Sequence, residues 1–168
     1  MKTKNMAVSP LIQSMLFLVT SMAIVGVVFQ FGLPYIERLN DVKAFEEGKA
    51  LIIEVDDVIN KIKLNETTAK TLVVNITRGS LVIDDANDLV QYELAARPGI
   101  MDEGVFVEEG NIYLQRSGGK LLAGFQANDI NVLTDQGVLR LSQGAYNLQI
   151  SYVGTVNGLI QVRFRTSD

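Results

Sequence analysis

The sequence predicts an α+β protein: a long N-terminal helix, transmembrane and then amphipathic, followed by an antiparallel β-sandwich head. Three observations predict it. No charged residue lies between Lys4 and Glu37. After Pro34, apolar residues recur at the 3–4 spacing of a helix with one buried face. From Ala69 onward the period changes to strict alternation, broken by glycine-bearing turns. The expected segments are a leader over 1–7, a membrane or filament-core helix over 8–34, an amphipathic neck helix over 35–64 and a β head over 69–168.

Composition narrows the chemistry. The chain has 168 residues, enough for one compact domain plus an appendage. At 48% hydrophobic and 20% charged it is not disordered in bulk. It contains no Cys, which removes disulfides and thiolate nucleophiles, and no His, which removes the commonest general base and transition-metal ligand. A net charge of −4 argues against broad nucleic-acid binding. The charge is unevenly placed: residues 1–34 carry only Lys2 and Lys4, and residues 35–168 carry thirteen basic and nineteen acidic side chains.

The stretch Leu11–Leu33 is 23 residues long. At about 1.5 Å per residue it spans roughly 35 Å, enough for a hydrocarbon core of about 30 Å. Ser14, Thr20 and Ser21 can bond back to helix carbonyls, and Gln13 and Gln30 stand near the two ends. Lys2 and Lys4 before the span place the N-terminus in the cytoplasm and the C-terminal part outside. The stretch has three readings. A secretory signal peptide would have a shorter apolar run and a small-x-small cleavage site, which VVFQFGLP lacks. A plain single-pass anchor needs nothing further. A pilin-type signal needs a short basic leader cut just before the helix.

The residues favour the third. MKTKNMA is a basic leader ending in a small residue, and VSPLIQSMLFLV follows it directly. This resembles the N-terminus of archaeal type IV pilins and archaellin-like proteins, over roughly residues 1–35. The resemblance implies cleavage between Ala7 and Val8 by a prepilin-type peptidase. It also implies that the helix first anchors the precursor in membrane lipid. The helix would then assemble with other copies and other pilin-like subunits into a homopolymer, with Leu11, Ile12, Leu16, Val19, Ile24, Val27 and Val28 in the filament core. No Glu stands near the start of the mature helix, unlike many bacterial pilins, which turns the resemblance toward archaeal members. Ser9 is placed to cap the helix, Pro10 needs no amide hydrogen there, and Gly26 would let neighbouring helices approach.

Gly32-Leu33-Pro34 is expected to kink or end the first helix. In the neck, Phe45, Gly48, Ile52, Val55, Ile59 and Ile62 make a stripe with spacings of 3, 4, 3, 4 and 3. It fits a helix packed on its own head, and equally one shared with neighbouring subunits. Glu46, Glu47, Glu54, Asp56 and Asp57 are interspersed with Lys43, Lys49 and Lys61 and read as a solvated face.

Ten strands are expected in the head: Thr71–Thr77, Ser80–Ile83, Leu89–Ala95, Val105–Glu108, Asn111–Arg116, Lys120–Gln126, Ile130–Thr134, Val138–Ser142, Ala145–Val153 and Leu159–Arg165. Asn157-Gly158 is the strongest hairpin signal, since both residues accept the positive φ of a type I′ turn. The longest break, from Ala96 to Gly104, is expected to connect one sheet to the other.

No catalytic residues, metal site or cofactor are expected. There is no nucleophile elbow, Walker A motif or G-x-G-x-x-G. Ser117-Gly118-Gly119-Lys120 reads as a hairpin turn, and Asp84, Asp85, Asn87 and Asp88 as an acidic turn without the spacing of an EF-hand. Asn65-Glu66-Thr67 and Asn75-Ile76-Thr77 are candidate N-glycosylation sites at Asn65 and Asn75. The expected function is a structural subunit of an archaeal type IV pilus-like filament, anchored first in the cell membrane and then exposed at the cell surface. The alternatives are a minor or pseudopilin-like subunit, and a membrane-anchored β-domain binding module that never polymerises.

Overall fold

The computed structural model describes residues 10–95, 97 and 99–167. The expected leader, the Ala7–Val8 cleavage point and the Ser9 cap lie outside the described residues. One helix and ten strands follow in order: α1 (Pro10–Lys63), β1 (Ala69–Ile76), β2 (Ser80–Asp84), β3 (Leu89–Ala95), β4 (Phe106–Glu109), β5 (Ile112–Ser117), β6 (Lys120–Gln126), β7 (Ile130–Thr134), β8 (Val138–Leu141), β9 (Gly144–Val156) and β10 (Leu159–Ser167). The chain divides into two compact units after Leu39.

Of the two outcomes expected at Pro34, an end to the helix does not occur: Pro34 lies within α1. The missing amide hydrogen costs one hydrogen bond. Ending the helix at an apolar stretch would free several backbone groups that nothing nearby can satisfy, which costs more.

In the unit from Asn40 onward, the predicted stripe is the buried face. Phe45, Gly48, Ile52, Val55, Ile59 and Ile62 are all buried, joined by Asp41, Ala44 and Val58. The stripe therefore packs on its own head. Gly48 is required by contact: a Cβ there would overlap the Tyr92 ring on β3. The helix ends in a Schellman motif. Asn65 takes the left-handed position at φ 57°. Its amide donates to the Ile62 carbonyl at 3.0 Å, and the Glu66 amide donates to that of Lys61 at 2.9 Å.

The strands form two sheets, ordered β1-β9-β10-β7 and β4-β5-β6-β3-β2-β8. Alternation puts one side chain in two inside: Leu72, Val74 and Ile76 on β1, Val90, Tyr92 and Leu94 on β3, Leu121, Ala123 and Phe125 on β6. These join the α1 stripe in one continuous core. The β9–β10 hairpin closes at Asn157 (φ 53°) and Gly158 (φ 83°), as the Asn-Gly pair predicts.

Two details differ from expectation. β10 pairs with β7 in parallel, Val162 opposite Val132, so the four-stranded sheet is mixed. A parallel pair needs a long crossover, and the chain supplies one by passing through β8 in the other sheet and then β9. The break after β3 does not cross between sheets, because β3 and β4 belong to the same one.

Candidate functional site

The stretch Pro10–Leu39 has apolar side chains all around the helix. Leu11, Ile12, Leu16, Val19, Ile24, Val27 and Val28 are 55–68% exposed, and Phe17, Met22, Phe29 and Phe31 on other sides of the helix are exposed as well. None of its most apolar 18-residue window is buried. A helix with this pattern needs an apolar surrounding on every side, and this one is long enough to cross a bilayer. Its hydroxyls are partly satisfied from within: Ser14 donates to the Leu11 carbonyl at 2.9 Å and Thr20 to that of Leu16 at 2.8 Å. A Cβ at Gly26 would meet no other atom within 4 Å.

Both sequon asparagines are exposed. Asn65 occupies the turn that ends α1, and Asn75 lies on β1 opposite Ala145 of β9. The Thr77 hydroxyl of the second sequon donates to the Glu47 carboxylate at 2.9 Å.

The remaining motifs have structural work. Asp84 accepts from the Ala86 amide at 3.0 Å and the Asn87 amide nitrogen at 2.7 Å, and Asp88 accepts from the Val132 amide at 2.8 Å. These carboxylates shape the β2–β3 turn and tie it to β7. Ser117–Lys120 is the β5–β6 turn, with Gly118 and Gly119 both at positive φ. The segment after β3 is held by Arg116. This buried guanidinium donates to the Met101 carbonyl at 2.7 Å, and to the Glu103 carboxylate at 3.2 Å. Glu103 also accepts from the Gly118 amide at 2.6 Å. No group of three His, Cys, Asp or Glu residues suited to a metal occurs among the described residues.

Sequence reasoning missed a polar network on the outward face of the six-stranded sheet. The Tyr113 hydroxyl donates to the Gln91 carbonyl oxygen at 3.0 Å, and the Gln91 amide nitrogen donates to Glu93 at 2.7 Å. The other Glu93 oxygen accepts from Lys120 at 2.9 Å and from Arg140 at 3.2 Å. Arg140 also reaches the Ser80 hydroxyl at 3.0 Å. Burial pushes the Glu93 carboxyl up, but the hydrogen bonds from Lys120 and Arg140 outweigh it and hold the group below its usual value. Burial, with Glu93 nearby, pushes the Tyr113 phenol up. Beside the network, the Phe106 and Tyr113 rings stack at 5.8 Å and 16°. The residues come from five strands, so no local motif announces them.

No protein-family model, curated protein or solved structure matches the chain.

Proposed function

We propose that the chain is a structural subunit of an archaeal type IV pilus-like surface filament. One observation carries the reading: a charge-free helical stretch, apolar on every side, continues without a break into the helix of a compact β-sandwich head. Such a stretch is at home in lipid and equally in a bundle of its own copies, so it can pass from one to the other without a change of solvent. The leader ending at Ala7 supplies the trigger, because its removal leaves Val8 as a new N-terminus. Bundling would draw on dispersion between close-packed side chains, because lipid is as apolar as the helix and leaves no transfer term to gain. The partners in this reading are other copies, related pilin-like subunits, a prepilin peptidase and the assembly machinery, with membrane lipid before assembly.

The test is the N-terminal sequence and intact mass of the protein from native membranes and from sheared surface material, with negative-stain microscopy of the latter. A start at Val8 together with ordered filaments is the expected result. A start at Met1, with the protein confined to membranes, overturns the reading and leaves an anchored β domain whose task is recognition.

A further inference from the structure

The outward face of the six-stranded sheet holds a prepared surface that the filament reading does not use. Register places Tyr113 opposite Gly124, Gly124 opposite Gln91, and Gln91 opposite Val82. Gly124 leaves no side chain between Tyr113 and Gln91, so the phenol reaches across one strand to its acceptor. A Cβ there would come within 2.7 Å of Gln91. Tyr113 is thereby pinned by its hydroxyl, with Phe106 stacked against it and 53% exposed. An exposed Phe106 backed by a half-buried, hydrogen-bonded Tyr113 is a rigid aromatic surface suited to a partner.

The neighbouring charges define that partner. Glu93 is one carboxylate, its side chain 11% exposed, and it receives both Lys120 and Arg140, whose side chains are 51% and 49% exposed. One positive charge is left over at this end of the face, in a chain of net −4. Glu108, on the edge strand β4, is the direct cross-strand neighbour of Tyr113 and stands at the aromatic end of the face, away from Arg140 on β8. Every member of the network is already hydrogen-bonded, so a ligand would meet fixed groups and little ordering entropy would be lost.

We propose that this face binds an acidic oligosaccharide, with a pyranose ring lying on the open side of Phe106, which Tyr113 backs, and a uronate carboxylate meeting Arg140 and Lys120. The aromatic pair offers C–H contact, which a bare phosphate or sulfate cannot use. A planar guanidinium suits a carboxylate, which it can grip with two parallel hydrogen bonds.

The proposal does not depend on polymerisation, so the two stand or fall separately. The test is calorimetric titration of the full chain in detergent micelles with tetragalacturonate, and with the same oligosaccharide methyl-esterified. Methyl-esterification removes the charge and leaves the rings, and needs no variant. The expected results are binding of the acid form, about tenfold weaker binding of the ester, and about tenfold weakening of the acid form by Arg140→Gln. Phe106→Ala should weaken it about fivefold. Arg165→Gln, which removes a half-exposed cation on the other sheet, should leave it unchanged. Melting temperatures within a degree or so of wild type would show that the head stays folded, as solvent-facing changes usually allow. The proposal is overturned by no binding, by equal binding of acid and ester, or by citrate competing as well as the oligosaccharide does.

Discussion

The two stretches of α1 share one backbone geometry and carry opposite side-chain patterns. From Asn40 to Lys63 the apolar residues form a stripe, buried against the head, with Glu46, Glu54 and Asp57 exposed on the other sides. From Pro10 to Leu39 there is no stripe, because the apolar residues go all the way round and remain uncovered. A stripe needs water on one side and protein on the other. A full apolar ring needs no water at all. The helix therefore carries two surface patterns along its length, one covered by the head and one that the described structure leaves uncovered.

The sharpest test exchanges the same kind of atom in the two stretches. Ile52 is fully buried, and Ile52→Ala should lower head stability by about 3 kcal/mol, through lost apolar transfer and the cavity left behind. Val27 is 55% exposed, so Val27→Ala should leave head unfolding unchanged. Urea titration followed by tyrosine fluorescence reads both, since the chain has no Trp. An equal loss from the two variants would break the comparison, for it would mean that the N-terminal stretch is part of the head's cooperative unit.

Much of this contrast was legible in the sequence because it is local. The six stripe residues are all buried, and all ten predicted strands occur with ends shifted by at most a few residues. Alternation and 3–4 spacing are properties of neighbouring residues, so a single pass along the chain finds them. What escaped depends on which distant strand lies beside which. The parallel pairing of β10 with β7 follows from a crossover through the other sheet, and no residue in either strand encodes it. The network around Glu93 joins five strands for the same reason. Sequence could place Gln91, Glu93, Tyr113 and Arg140 on outward faces, but not on one face together. At Pro34 the local rule left two outcomes, a kink or an end, and the continuous helix removes the second, since stopping would strand backbone groups among apolar side chains.

A smaller effect marks where the amphipathic stretch stops. Asn65 holds φ 57°, a conformation that costs residues with a Cβ about 1–2 kcal/mol and asparagine less. Asn65→Ala should therefore cost about 1 kcal/mol of head stability, and Asn65→Gly should not. Both variants remove the sequon, so a matched loss from the two would point to the asparagine side chain and away from backbone geometry. The urea midpoint decides between them.

The smallest effect concerns protons, and it separates the two stretches again. Two acids in the head have carboxyls held below their usual range. For Glu93, burial opposes the shift and hydrogen bonds from Lys120 and Arg140 prevail. For Asp129, the hydrogen bond from Lys63 leads and burial opposes it. A carboxyl with a lower pKa folded than unfolded binds fewer protons in the native state, so stability rises with pH. That contribution is complete above the ordinary carboxylate range, about pH 4, and is lost as pH falls through the lower folded values. The urea midpoint of the head should therefore drop on acidification below about pH 4, and Glu93→Gln should flatten part of the drop. Between Pro10 and Ile36 there is no group that titrates in this range. Partition of the full chain into a detergent phase should accordingly stay level across the same interval while the head weakens. If partition followed the head's acid transition instead, the apolar stretch would owe its behaviour to the charged unit beyond it, and α1 could no longer be read as one helix in two solvents.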